Sequence, residues 1–223
     1  MVPSVITEQV MAHRIEMIAI TDHNTGGNVE AFDRALKNRD ITLLYGMEIS
    51  TKEDVHVLLY FSDIITLKAF EKEVVRPALR NVEVDPEIYG YQLYVDERDN
   101  FTGMEESWLG QSLLLSLYQA VSAGRKFGAL VVLSHIYRRF GLVYQLGFLP
   151  DDLPVSGVEV LSPEEEEEVR RIRNLTVIAS SDAHHPEQIG RRKSLLRAYS
   201  RSFSELELAF AGEEGRSVSP LWD

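Results

Sequence analysis

Short, nearly continuous apolar runs alternate with amphipathic stretches along this chain. The order is IEMIAIT, VEAFDRALKN, ITLLYGMEIS, VHVLLYF and a helical stretch from about Ile65 to Leu79. Further on come QSLLLSLYQAVSAG, ALVVLS, a Gly/Phe-rich connection, GVEVLS, PEEEEEVRRIRN, TVIASS, LLRAYS and a closing helix. Val/Ile/Leu runs separated by helix-period segments predict a buried, mostly parallel sheet with helices outside, an α/β fold. The last helix is announced by SFSE, where Ser202 can cap and Glu205 can return the bond, and GEEGRSVSP ends it. Residues 85–107 follow neither period and are expected to form an inserted loop or hairpin. No repeat and no linker marks a second domain, so residues 1–223 read as one domain. The glutamates at 164–168 suit a solvated first helical turn.

Composition narrows the function without choosing it. An apolar fraction of 44% and a charged fraction of 26% are those of an ordinary globular protein. A net charge of -12 repels polyanions and argues against a nucleic-acid scaffold, while leaving room for a small anionic substrate held by metal ions. With no cysteine, disulfides and thiolate chemistry are excluded, and any metal must be held by His, Asp, Glu and water. The apolar runs are too short to span a bilayer, and the start lacks a signal-peptide pattern. A soluble, cytoplasmic protein is expected.

The chemistry sits where the apolar runs stop. IAITDH ends in Asp22 and His23, LLYGMEIS carries Glu48, VVLSH ends in His135, and VIASSDAH ends in Asp182 and His184. His56 stands at the start of its strand or in the loop before it. One such residue is usually a cap, but agreement among four strands points to convergence, because the carboxyl ends of strands form the active face of α/β sheets and barrels. His13 is set aside as a surface helix residue, and Glu53 and Asp54 as solvated loop charges. His185 is ambiguous: it can line the pocket without binding metal.

These residues resemble the PHP (polymerase and histidinol phosphatase) family of metal-dependent phosphoesterases. The likeness rests on AITDHNT, YGMEISTKEDVHVLLYF, LSHI, SSDAHHPEQIG and SFSELELAFAGEEGRSV. It implies a distorted (β/α)7 barrel with up to three divalent ions, zinc, manganese or iron, at its mouth. Carried over by position, Glu48 would bridge two metals, His56 and His135 would complete one site, Asp182 would bind a second, and His23 and His184 would belong to a third. Asp22 would orient His23 or a water from behind. The family opens with an H-x-H strand that this sequence does not contain; its first residues match the helix that follows.

The resemblance implies hydrolysis of a small phosphorylated metabolite or nucleotide by metal-activated water, with Asp182 or His184 assisting the leaving group. Arg138, Arg139, Arg191, Arg192 and Lys193 follow two of the ligand strands and are candidates to clamp phosphate. Two other readings stand beside it. One is a catalytically impaired remnant serving as a binding or structural module, and the other an amidohydrolase-like metal hydrolase. Substrate identity and oligomeric state are open at this level.

Overall fold

The computed structural model describes residues 1–82 and 85–222. In chain order the first elements are α1 (Pro3–Ala12), β1 (Met17–Ile20), α2 (Val29–Leu36), β2 (Thr42–Ser50), β3 (His56–Phe61) and α3 (Ile64–Phe70). A π turn, Glu71–Val75, joins α3 to α4 (Arg76–Ala78). Residues 85–107 hold α5 (Pro86–Tyr89), β4 (Leu93–Val95) and β5 (Phe101–Met104). Then follow α6 (Leu117–Lys126), β6 (Leu130–Leu133), α7 (Leu142–Leu146), β7 (Gly157–Glu159), α8 (Pro163–Ile172) and β8 (Thr176–Ile178). The last elements are β9 (Lys193–Arg197), α9 (Phe203–Ala211) and β10 (Ser217–Leu221).

Six strands form one curled sheet in the order β1-β2-β3-β6-β7-β8. The α/β architecture is that of a distorted barrel, open between its outer strands. The sheet is mostly parallel, as expected, with one reversed strand. β1 runs parallel to β2, and β6 to β7 to β8, but β3 is antiparallel to both neighbours. The reason is local, since only a tight turn separates β2 from β3, with Thr51 N–H and Val55 N–H both engaged inside it, and parallel neighbours need a long crossover. The reversal brings the amino end of β3, and with it His56, to the same rim as the carboxyl ends of the other strands.

Alternation along β3 divides the core. Val57, Leu59 and Phe61 pack with Leu67, Phe70, Val121 and Leu133 under the helices. Leu58 and Tyr60 face inward with Val132, Ile178, Leu206 and Phe210. This inner side opens into a trough of about 1290 Å³ between β1 and β8, floored by those apolar groups and topped by Asp22, His23, Glu48 and Glu159.

Helix starts follow their capping chemistry. Ser162 accepts from Glu165 N–H at the head of α8, so the glutamates do occupy the first turns. Ser116 and Gln119 form a reciprocal box that starts α6 at Leu117, later than the apolar run QSLLLS suggests. Residues before it are extended because Leu113 and Leu114 donate their N–H groups to Ser50 and Ala78. Ser202 caps α9, but Glu205 does not return the bond. Its carboxylate takes Tyr199 N–H and pairs with Arg216. RSVSP, expected only to terminate that helix, supplies β10, which pairs with β9 outside the main sheet. Among the described residues no helix is long and apolar enough to cross a membrane.

Candidate metal centre

Glu48 stands at the middle of the rim. Its carboxylate is buried, and its two oxygens face different imidazoles: Oε1 lies 3.3 Å from His56 Nδ1 and 3.6 Å from His135 Nε2, and Oε2 lies 3.7 Å from His23 Nδ1. Burial alone would raise its pKa, but His135 and His56, then His23, outweigh that and hold it well below the usual carboxylate range. The His23 pKa is lowered too, but by a different cause. Burial lowers its pKa against the opposing pull of Glu48, so the imidazole is favoured in the neutral form that ligates metal.

The rings form a chain across the mouth, with His56 centred 5.3 Å from His135 and 4.9 Å from His23, and His23 6.3 Å from His184. Phe140 stacks on His56 at 4.8 Å and fixes its plane. His23, Glu48 and His56 each offer a ligand atom within 4.8 Å of the others.

Buried polar atoms without partners carry the most information. Glu48 Oε1, His56 Nδ1 and both nitrogens of His135 lack a hydrogen bond. Orphaned atoms of this kind are rare in folded proteins, and each is costly unless something engages it. A cluster of them that is all carboxylate and imidazole fits a divalent cation.

Asp182 and His184 sit on the adjacent rim. Asp182 is mostly covered, its Oδ2 held by the Arg138 guanidinium and its Oδ1 3.8 Å from His184 Nδ1. His184 is largely exposed, and its Nδ1 lies 3.1 Å from the Asp182 carbonyl. Asp22 opens into the trough and, among the described residues, has no hydrogen bond to His23; its backbone carbonyl instead accepts Glu48 N–H. His13 and His185 are exposed, and His13 lines the trough beside Gly190. Of the remaining basic residues, Arg139 lies over Phe140, and Arg192 donates to the Leu161 carbonyl.

Backbone strain marks the same places. His135, Asp182 and Asn24 all have positive φ, at 27°, 44° and 53°. Non-glycine residues enter this region at a cost and persist only where their surroundings enforce it. At His135 the enforcement is visible. Its N–H donates to Glu159 Oε2 at 2.9 Å, and Gly141 packs so close that a Cβ there would stand 2.3 Å from the His135 carbonyl oxygen. Asn24 braces the loop after His23, accepting from Ser50 N–H and donating to the Leu109 and Gln111 carbonyls.

Glu159 is the residue that strand-end reading passes over. Wholly buried at the end of β7, it accepts from Ser134 Oγ, His135 N–H and Ser180 Oγ, tying together the exits of β6, β7 and β8. Burial raises its pKa against those donors.

A family model described as PHP-associated matches residues 164–207. A two-domain protein of Bacteroides vulgatus, containing a predicted PHP-like metal-dependent phosphoesterase, aligns over 99% of this chain and 60% of that one, with TM-score 0.57 and 16% identity. This is the PHP fold. The lesion-specific endonuclease EndoQ of Pyrococcus furiosus shares it with TM-score 0.73 at 16% identity, over 98% of this chain and 53% of that one. Endonuclease Q in complex with a 27-mer duplex carrying an abasic lesion gives TM-score 0.74 and 16% identity, over 97% and 53%. The PHP-fold chain thus spans about half the length of the endonuclease chains it matches. No curated protein matches it.

Proposed function

We propose that this chain is a metal-dependent phosphoesterase whose ions, zinc, manganese or iron, are held by His23, Glu48, His56, His135, Asp182 and His184. The observation that carries the reading is the buried Glu48 carboxylate facing three imidazoles whose ligand atoms are largely unpartnered. Its two oxygens address separate partners, Oε1 toward His56 and His135 and Oε2 toward His23, so Glu48 suits a bridging role. Divalent cations held there would supply Lewis acidity toward a phosphoester and acidify the attacking water.

The chain's own groups do the rest. Neutral imidazoles leave the positive charge of the site undiminished, and the stacked Phe140 keeps His56 dry on one side. With Nδ1 of His184 donating to the Asp182 carbonyl, Nε2 is the nitrogen left to exchange a proton, on a side chain that is largely exposed. Asp182 and His184 are our candidates for handling its proton.

A small phosphorylated metabolite or nucleotide is the substrate class that a net charge of -12 favours. The likeness to an endonuclease bound to lesion-bearing duplex favours a second reading, a phosphodiester in nucleic acid. A cytoplasmic location belongs to the proposal and rests on the cysteine-free composition.

Purified chain would be assayed for bound metal by plasma mass spectrometry beside Glu48→Ala, then against phosphomonoesters, abasic-site duplex and amides. Metal that is lost in the variant, with phosphomonoester hydrolysis, supports the proposal. Cleavage of the duplex alone moves the substrate to nucleic acid. Amide hydrolysis alone, or no metal uptake, overturns it.

A further inference from the structure

The Arg138 guanidinium is bound to the carboxylate of Asp182, a proposed metal ligand. Two observations make this more than a surface ion pair. The side chains are unequally buried, at 43% exposure for Arg138 against 15% for Asp182, so the arginine can swing into solvent while the carboxylate stays in the rim. The backbone beneath Arg138 is fixed at both ends. Arg138 N–H donates to the His135 carbonyl, Gly141 N–H to the Arg138 carbonyl, and His56 N–H to the Phe140 carbonyl. The guanidinium therefore pivots from a set point beside the ring chain.

We infer that Arg138 is a placeholder cation, occupying Asp182 until a divalent ion claims that carboxylate and then turning outward to hold the phosphoryl group of the substrate. This rests on the phosphoesterase reading above. A guanidinium and a dication a few Å apart repel each other in a partly shielded site, so each weakens the other's hold on Asp182. A phosphate set between them reverses that relation. It is attracted to both, and the planar fork of arginine matches two phosphoryl oxygens. One residue thus opposes metal binding in the resting chain and favours anion binding in the loaded one.

Mn2+ binding, measured by isothermal titration and by electron paramagnetic resonance of the free ion, and inorganic phosphate binding to the Mn2+-loaded chain separate these roles. In Arg138→Gln, Mn2+ should bind more tightly by on the order of tenfold, an ordinary coupling between adjacent sites. Phosphate should bind the loaded variant about tenfold more weakly, the loss of a charge-assisted pair. Arg139→Gln should change neither. Arg138→Lys, which keeps the charge and loses the fork, should leave Mn2+ affinity near that of the unaltered chain while weakening phosphate, and it serves if the glutamine variant does not fold. Unchanged or weaker Mn2+ binding in Arg138→Gln overturns the placeholder role, and unchanged phosphate affinity overturns the clamp. An unaltered chain that takes up no Mn2+ overturns the phosphoesterase reading itself, and this inference with it.

Discussion

Glu159 shows how much of the centre depends on a residue that would touch no substrate. Replacing it with Ala strands the N–H of His135 and the hydroxyls of Ser134 and Ser180 in the interior. We expect a loss of about 2–4 kcal/mol in denaturant titrations, the size of several buried donors left unmet. Metal uptake should fall with it, because His135 at φ 27° loses its brace. Glu159→Gln, which keeps an acceptor oxygen, should lose less. Tyr45 offers a pH test away from the centre. Burial and then the bond from its hydroxyl to Asp33, 2.8 Å long, push its pKa up to about 12. A phenol whose pKa is raised on folding contributes stability that is complete below the unfolded value near 10 and lost as pH climbs toward 12. Tyr45→Phe should remove that part of the alkaline decline in a melting series. The histidines and aspartates at strand exits were legible because chemistry-bearing residues interrupt apolar runs abruptly. Glu159 was not, since a single glutamate in GVEVLS looks like the polar face of a strand, and the flanking Val158 and Val160 pack on the opposite face and do not report what Glu159 meets.

Among elements, the π turn Glu71–Val75 carries an unforeseen connection. Glu71 accepts from Thr25 Oγ1 and Gly26 N–H on the loop after His23, and it pairs with Arg76, which in turn reaches Glu105 at the foot of the 85–107 hairpin. The ligand loop, the α3 helix and the hairpin are locked through one carboxylate. Removing it by Glu71→Ala leaves the Arg76 guanidinium short of a partner and frees the loop. We expect destabilisation by about 1–3 kcal/mol, the size of the Thr25 and Gly26 donors left unmet, and faster amide exchange at Gly26. Periodicity placed a helix from about Ile65 to Leu79 but could not show the π turn, which adds a residue to a turn without moving the apolar stripe off the core. The reversal of β3 was hidden for a similar reason: a buried strand reads the same in either direction, and only the short link to β2 shows which way it runs.

For the molecule as a whole, the open side of the sheet is the liability. β1 and β8 are its outer strands, and the trough between them exposes Leu195 and other apolar side chains. β8 is backed by β10 and by Ser194 of β9, but apolar surface beside the end of a sheet invites self-association. Sedimentation velocity should show the chain associating as concentration rises, and Leu195→Lys should shift it toward monomer; a monomer at all concentrations would count against this. The α/β class and the ring of strand ends were readable in advance, whereas the width of the gap was not, because it depends on how far the strands curl. The turn between β2 and β3 also bears on how the protein comes into being. It makes Glu48 and His56 close neighbours in the chain, so this half of the centre costs little loop entropy to close and can form while later residues are still being synthesised. His135 and Asp182 must arrive across long separations. The centre is thus split between a local half that is cheap to close and a strained, long-range half that is not, and pulse-labelled amide exchange during refolding should protect β2 and β3 before the His135 and Asp182 loops.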